Sequence, residues 1–115
     1  MKAIKICRLE EKKLVSAFSD GIEVEYRLGE WTKRPKDGGP LAVFDTLKHA
    51  EEFMEVMSLN HQAYACEIKK SDDSILWCYK KEFVLPRLQK SFLPRGTILA
   101  DEVKLIKKVE SKIFW

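Results

Sequence analysis

Apolar and polar residues alternate in several short runs of this chain, and one stretch carries them at helical spacing. Residues 1–8 (MKAIKICR) set Ile4 and Ile6 against Lys5 and Cys7, which is a strand pattern. The polar run at 9–13 reads as a turn, and residues 14–18 (LVSAF) read as a second short strand. Ser19-Asp20-Gly21 has turn chemistry, since Asp bonds its own backbone and Gly accepts a positive φ. Residues 22–28 (IEVEYRL) form the clearest strand. Ile22, Val24, Tyr26 and Leu28 face one way, and Glu23, Glu25 and Arg27 face the other. Strict alternation over that length predicts one buried and one wet face, as in an antiparallel sheet.

The chain is organised around residues 31–57, a charged loop rich in Gly and Pro, then a short apolar strand, then the helix. Trp31 stands in the otherwise polar loop from Gly29 to Pro40 and is expected to pin it to the core; the other reading makes it the floor of a site. Leu41–Phe44 is a short buried strand. Asp45 or Thr46 can cap the helix that follows, because either side chain accepts a bond from an orphan N–H. Leu47, Ala50, Phe53, Met54 and Met57 make one apolar stripe, which predicts a helix over about 46–57 packed by that face. Lys48, Glu51, Glu52 and Glu55 are its wet face, His49 lies off the stripe with a surface role, and Asn60 is a plausible left-handed stop.

Residues 62–70 (QAYACEIKK) alternate again, with Tyr64, Cys66 and Ile68 opposite Ala63, Ala65 and Glu67. A turn at 71–74 and a strand at 75–79 make 62–79 a predicted hairpin. Residues 80–96 interleave basic and apolar residues, and Pro86 and Pro94 preclude one long helix there. The end reads as a strand at 97–99, a kink near Ala100-Asp101, and a strand at 102–109 with a bulge or two-sided burial at Ile106. These elements predict a single α+β domain over 1–115, a mostly antiparallel twisted sheet of about six or seven strands with one principal helix on one face. The order of strands around the helix leaves a small half-barrel open as its shape.

Composition narrows the class. The chain has 115 residues, 45% of them apolar and 34% charged, which suits one folded domain with a well-solvated surface. No apolar run approaches the length of a membrane span, and Lys-Ala-Ile-Lys-Ile after Met1 is too short for a signal sequence, so a soluble cytoplasmic protein without membrane contact is expected. Cys7, Cys66 and Cys78 are odd in number, widely spaced and set in strands, so they read as small buried hydrophobes. Together with His49 and His61 they offer no paired ligands at short spacing, and neither a metal nor a cofactor is expected. Charge is uneven: residues 1–78 carry 12 Lys/Arg against 14 Asp/Glu, and residues 79–115 carry 9 against 4. Such an excess bears on partners.

Candidate chemistry lies in three places. Gly38-Gly39 can bring backbone N–H groups near an anion beside Lys33 and Arg34, although the loop matches neither dinucleotide nor P-loop signatures, and a plain turn is the simpler reading. Glu67 is a strand-borne carboxylate that could join Trp31 and Tyr64 in a cleft, although no second acid or His stands at motif spacing. Phe83, Arg87, Lys90, Phe92 and Arg95 form an aromatic and basic series suited to single-stranded nucleic acid or a protein groove, or merely to covering the sheet. The terminal Ile113-Phe114-Trp115 must pack back or meet a partner.

GEWTKRP..GGPLAVFDTLKHAEEF, then YACE, then LPRGTILADEVKLIKKV, resemble a small family of uncharacterised domains from prokaryotes and their phages. Those domains share a Gly/Trp loop, a T-L-x-x-A-x-x-F helix start and a late GT-x-x-AD-x-V-K strand. The likeness covers about Gly29 to Val109 and implies a fold but no chemistry.

Three functions follow. The first is a non-enzymatic protein-interaction module, acting on a protein partner or on itself as a homodimer, since no catalytic constellation stands out. The second is a nucleic-acid-binding protein using the basic 80–112 region with Lys33 and Arg34. The third is a small nucleotide-dependent transferase-like enzyme, which requires Glu67 and Trp31 on one face of the sheet.

Overall fold

The structure is a computed structural model that describes residues 1–10, 12–16, 24–35, 39–57, 61–72, 75–76, 79–80, 83–84, 88–89, 93 and 95–110. The first strand, β1 (Lys2–Glu10), turns back into β2 (Lys13–Ser16) with Glu10 opposite Lys13. Lys12 in that tight connection has φ 68°, the left-handed value that such turns favour. The predicted turn is therefore shorter than 9–13, and both strands run into it. Strand β3 (Glu25–Tyr26) lies beside β2, β4 (Trp31–Lys33) follows, and β5 (Leu41–Phe44) leads to the helix α1 (Leu47–Met57). Strand β6 (Gln62–Lys70) and the long β11 (Thr97–Val109) complete the main sheet. Between them β7 (Ile75–Leu76) pairs with β10 (Leu88–Gln89), and β8 (Tyr79–Lys80) with β9 (Phe83–Val84), as two nested antiparallel ladders.

The seven-stranded antiparallel sheet closes on itself. β1 pairs with β6, β6 with β11, β11 with β5, and β5 with β1 through the single pair Ile4–Phe44. This ring of four strands is a small barrel, flanked by β2 and β3 on one side and β4 on the other. The α+β class and mostly antiparallel sheet are as expected; the closure is an addition. Long-range closure is invisible to local pattern because it depends on which edges meet, not on which residues alternate.

Period two then sorts residues into the barrel and out of it. Inside are Ala3, Cys7, Leu41, Val43, Tyr64, Cys66, Ile68, Ile98, Ala100, Val103 and Leu105, with Tyr26 closing the cluster. Outside, one sector is covered by α1: Ile6, Phe44 and Ala63 pack with Ala50, Phe53 and Met54, and the Phe44 and Phe53 rings lie 5.4 Å apart. Thr46 Oγ1 accepts the His49 N–H and caps the helix, as expected from its position. The apolar stripe is core at Ala50, Phe53 and Met54.

Four local expectations change. Within 22–28 only Glu25–Tyr26 is strand among the described residues, and Leu28 is 56% exposed instead of sharing the buried face of Tyr26. The reason is Gly29 at φ 82°, whose N–H bonds Leu105 O where the chain passes from β3 to β4 at the other end of the sheet. Residues 31–33 are strand β4 rather than loop, because β11 offers them a ladder: Lys104–Trp31, Val103–Thr32 and Glu102–Lys33. The 62–79 hairpin does not form, since β6 has β1 and β11 as neighbours and β7 takes β10. The last two predicted strands are one, with register shifts between Ala100 and Glu102 and between Leu105 and Lys107, at the predicted kink and bulge. Ser19–Gly21, Asn60, Pro86 and Pro94 lie outside the described residues.

Candidate functional site

Away from α1 the outer face of the sheet carries exposed residues, among them Lys2, Trp31, Lys33 and Lys69. Lys2 stands opposite Glu67, Glu67 opposite Lys104, and Lys104 opposite Trp31, so these four side chains form a row across β1, β6, β11 and β4. The adjoining row holds Lys69, Glu102 and Lys33. Residues directly opposite in an antiparallel ladder share a face. Each row therefore alternates in charge, and Lys69 Nζ bonds Glu102 Oε2 at 3.0 Å. Lys69 Nζ also lies 5.0 Å from the Trp31 ring centroid, within cation–π range. Trp31 is 44% exposed, so it floors an open surface and does not pin a loop to the core. Leu28 and Ile106, the latter 45% exposed, flank the Gly29–Leu105 bond at the same edge.

The other residues singled out by the sequence are divided. Lys33 and Glu67 join Trp31 on the open face, as a transferase-like cleft requires. Tyr64 does not: it points into the barrel, where its hydroxyl donates to Gln62 Oε1 at 2.9 Å. Arg34 turns to β11, with Nη1 3.1 Å from Asp101 Oδ1 and 3.5 Å from Ser71 Oγ, and its N–H bonds Asp101 O. It straps the segment after β4 to the sheet. Gly39 is buried. Arg95 is exposed in the turn before β11, and Phe83 belongs to β9. Gly38, Arg87, Lys90, Phe92, Ile113, Phe114 and Trp115 lie outside the described residues.

Two features escape sequence reading. Lys5, on the inward face of β1, is 1% exposed inside the barrel. Its Nζ donates to Ala42 O at 2.8 Å and lies 5.3 Å from the Tyr26 ring centroid. Burial holds this amine below its ordinary range, offset in part by the nearby Cys7 and Cys66 sulfurs. Burial also pushes the Cys7 thiol up to about 11 and the Cys66 thiol up to about 12, so both free cysteines are inert small hydrophobes. Cys78 lies outside the described residues. The Tyr26 hydroxyl is buried without a hydrogen-bond partner among the described residues. The only hint in the sequence was that Lys5 alternates in phase with Cys7.

The second feature is at the start of α1. His49 Nδ1 donates to Asp45 Oδ1 at 2.6 Å, and this bond holds the Asp45 carboxyl below its ordinary value. His49 lies off the buried stripe, as expected, and is partly exposed and paired with Asp45. Gly96, at φ 83°, lies against the pair, and a Cβ there would collide with the Asp45 carboxylate and the His49 ring. Asp45 N–H bonds Gly96 O at 2.8 Å, which ties the helix start to the turn before β11. The dyad therefore acts as a structural clamp.

No protein-family model, curated protein or solved structure matches the chain. Among the described residues no group of three or more His, Cys, Asp and Glu gathers as metal ligands, and no helix is long and apolar enough to cross a membrane.

Proposed function

We propose that this domain is a non-enzymatic interaction module that engages its partner through the open edge formed by β4 and β11. The supporting observation is the grouping of Leu28, Trp31 and Ile106, three exposed large apolar residues, at one sheet edge. Exposed apolar side chains set in a polar rim are a signature of protein contact, and Trp anchors supply much of such binding. Strand β4, which has no second neighbour among the described residues, adds edge-facing backbone groups to the same surface.

Site-specific photo-cross-linking tests this reading. A benzophenone side chain at position 31, introduced in cells that express the protein, should give protein adducts, while one at the exposed Glu55 of α1 should not. Equal capture at both positions, or none at position 31, would overturn it.

Nucleic-acid binding is the second reading. It draws on four lysines (Lys2, Lys33, Lys69 and Lys104) against two glutamates on the open face, with an aromatic among them. Base stacking on Trp31 would contribute about 1–3 kcal/mol, and the phosphate contacts would weaken steeply with salt. The interleaved Glu67 and Glu102 oppose a polyanion, which is why the protein reading comes first. Single-stranded oligonucleotide affinity that ignores ionic strength would dismiss the second reading.

A further inference from the structure

We propose that the partner at this edge is a second copy of the chain, paired through β4 in antiparallel register about a two-fold axis at Thr32. The inference rests on the interaction reading above and names its occupant.

Backbone direction supplies the first argument. The N–H of Arg34 bonds Asp101 O at 2.8 Å, and residues 33, 32 and 31 follow opposite 102, 103 and 104. Backbone groups alternate sides along a strand, so Thr32 and Arg34 direct theirs at β11. Trp31 and Lys33 direct theirs at the open edge, where β4 has no neighbour among the described residues. Two such edges related by a two-fold axis at Thr32 set Trp31 against Lys33 of the other copy. Each of these pairs exchanges two N–H···O bonds, four in all. Pro35, next in phase with Lys33, has no N–H to give, so the ladder ends there.

Side-chain complementarity supplies the second argument and selects a copy of this chain over a foreign strand. Trp31 and Lys33 share the outer face, and the segment Trp31-Thr32-Lys33 read backwards sets cation against aromatic twice. The row Lys2, Glu67, Lys104, Trp31 of one copy then continues into Lys33, Glu102 and Lys69 of the other. Every neighbour in that joined row is an opposite charge or a cation beside an aromatic, and no like charges meet. Such self-complementarity is what an isologous two-fold interface requires.

Sedimentation velocity over a concentration series tests the pairing on the full chain. Lys33→Pro removes an edge-facing N–H together with the Lys33 ammonium and leaves the β11 ladder intact; Trp31→Lys changes only the side chain and sets two cations opposite each other. Wild type should dimerise with concentration, and each variant should raise the dissociation constant at least about tenfold. Thr32→Cys should form a disulfide-linked dimer that wild type, oxidised alongside, does not, since opposed residues in a non-hydrogen-bonded pair lie about 4.5 Å apart at Cα. A wild type that stays monomeric throughout overturns the pairing, and cross-links from position 31 to other proteins or to nucleic acid would then identify the occupant. A dimer unchanged in both variants also overturns it, and with no adducts at position 31 the edge reading falls as well.

Discussion

Two lysines in this protein lie over aromatic rings at nearly equal distance, Lys5 at 5.3 Å from Tyr26 and Lys69 at 5.0 Å from Trp31. Distance is all they share. Lys5 is sealed in the barrel, with one carbonyl as its hydrogen-bond acceptor in view, whereas Lys69 stands in water beside Glu102. A cation–π contact contributes about 0.5–1 kcal/mol at an exposed site and about 2 or more when desolvated, but desolvation charges the ammonium several kcal/mol first. The same pairing is thus close to neutral on the surface and a net burden inside. A like contrast separates two positive-φ glycines, Gly96 packed against the Asp45–His49 clamp and Gly29 in open space.

The largest expected effect is at Lys5. Lys5→Glu replaces a donor to Ala42 O with an anion beside it and should cost more than about 4 kcal/mol in urea unfolding. Lys5→Met keeps the volume, removes the buried amine, and should stabilise by about 1 kcal/mol or more. A less stable Lys5→Met protein would mean that the bond to Ala42 outweighs desolvation, and the contrast with Lys69 would collapse.

Gly96→Ala comes next, at about 2–3 kcal/mol by thermal melting, because strain at φ 83° adds to the collision with Asp45 and His49. Gly29→Ala should cost only about 1 kcal/mol, since its φ of 82° carries strain but no neighbour lies within reach. Equal costs would show that the clamp yields freely. Tyr26→Phe removes a buried hydroxyl with no partner among the described residues and should raise stability by about 1 kcal/mol. Trp31→Ala and Lys69→Ala, on the exposed side, should each change stability by less than about 1 kcal/mol.

Titration probes the sealed region, since Lys5, Cys7 and Cys66 all lie inside the barrel. Burial keeps the folded-state value of Lys5 below 10.5, so the folded protein releases this proton before the unfolded chain does. Between that value and 10.5 the unfolded chain binds more protons, and stability rises with pH. The Cys7 and Cys66 thiols act oppositely. Raised from 9.0 to about 11 and about 12, they stay protonated in the fold while the unfolded chain ionises, so stability falls as pH climbs from about 9. Denaturation midpoints across this range should lose the rise in Lys5→Met, and the fall should shrink when both cysteines become Ala, the remainder coming from the Tyr26 and Tyr64 hydroxyls that burial also raises.

Strand and helix identity was largely legible in the residues. Leu41–Phe44 and the stripe of α1 came through because each buries a face against its immediate surroundings, and local spacing records that. The kink at Ala100-Asp101 and the bulge at Ile106 were visible as breaks in period two. The candidate site was legible in part. Trp31, Lys33 and Glu67 stood out by residue type, but their shared face follows from β4 and β6 both pairing with β11. Tyr64 and Arg34 stood out equally, yet phase turns Tyr64 inward and Asp101 takes Arg34.

Alternation along a strand says that two faces differ, and that much was carried by the order of residues alone. Whether the second face meets water or another strand depends on how the sheet closes. In β1 the closure of the barrel through Ile4–Phe44 seals the inner face, where Lys5 meets Tyr26, and α1 covers Ile6 on the outer one. In β4 the outer edge has no strand partner among the described residues, and Trp31 stays at the surface. Pairing of distant edges is a property of the whole chain, and it alone decided which lysine is buried and which aromatic is exposed.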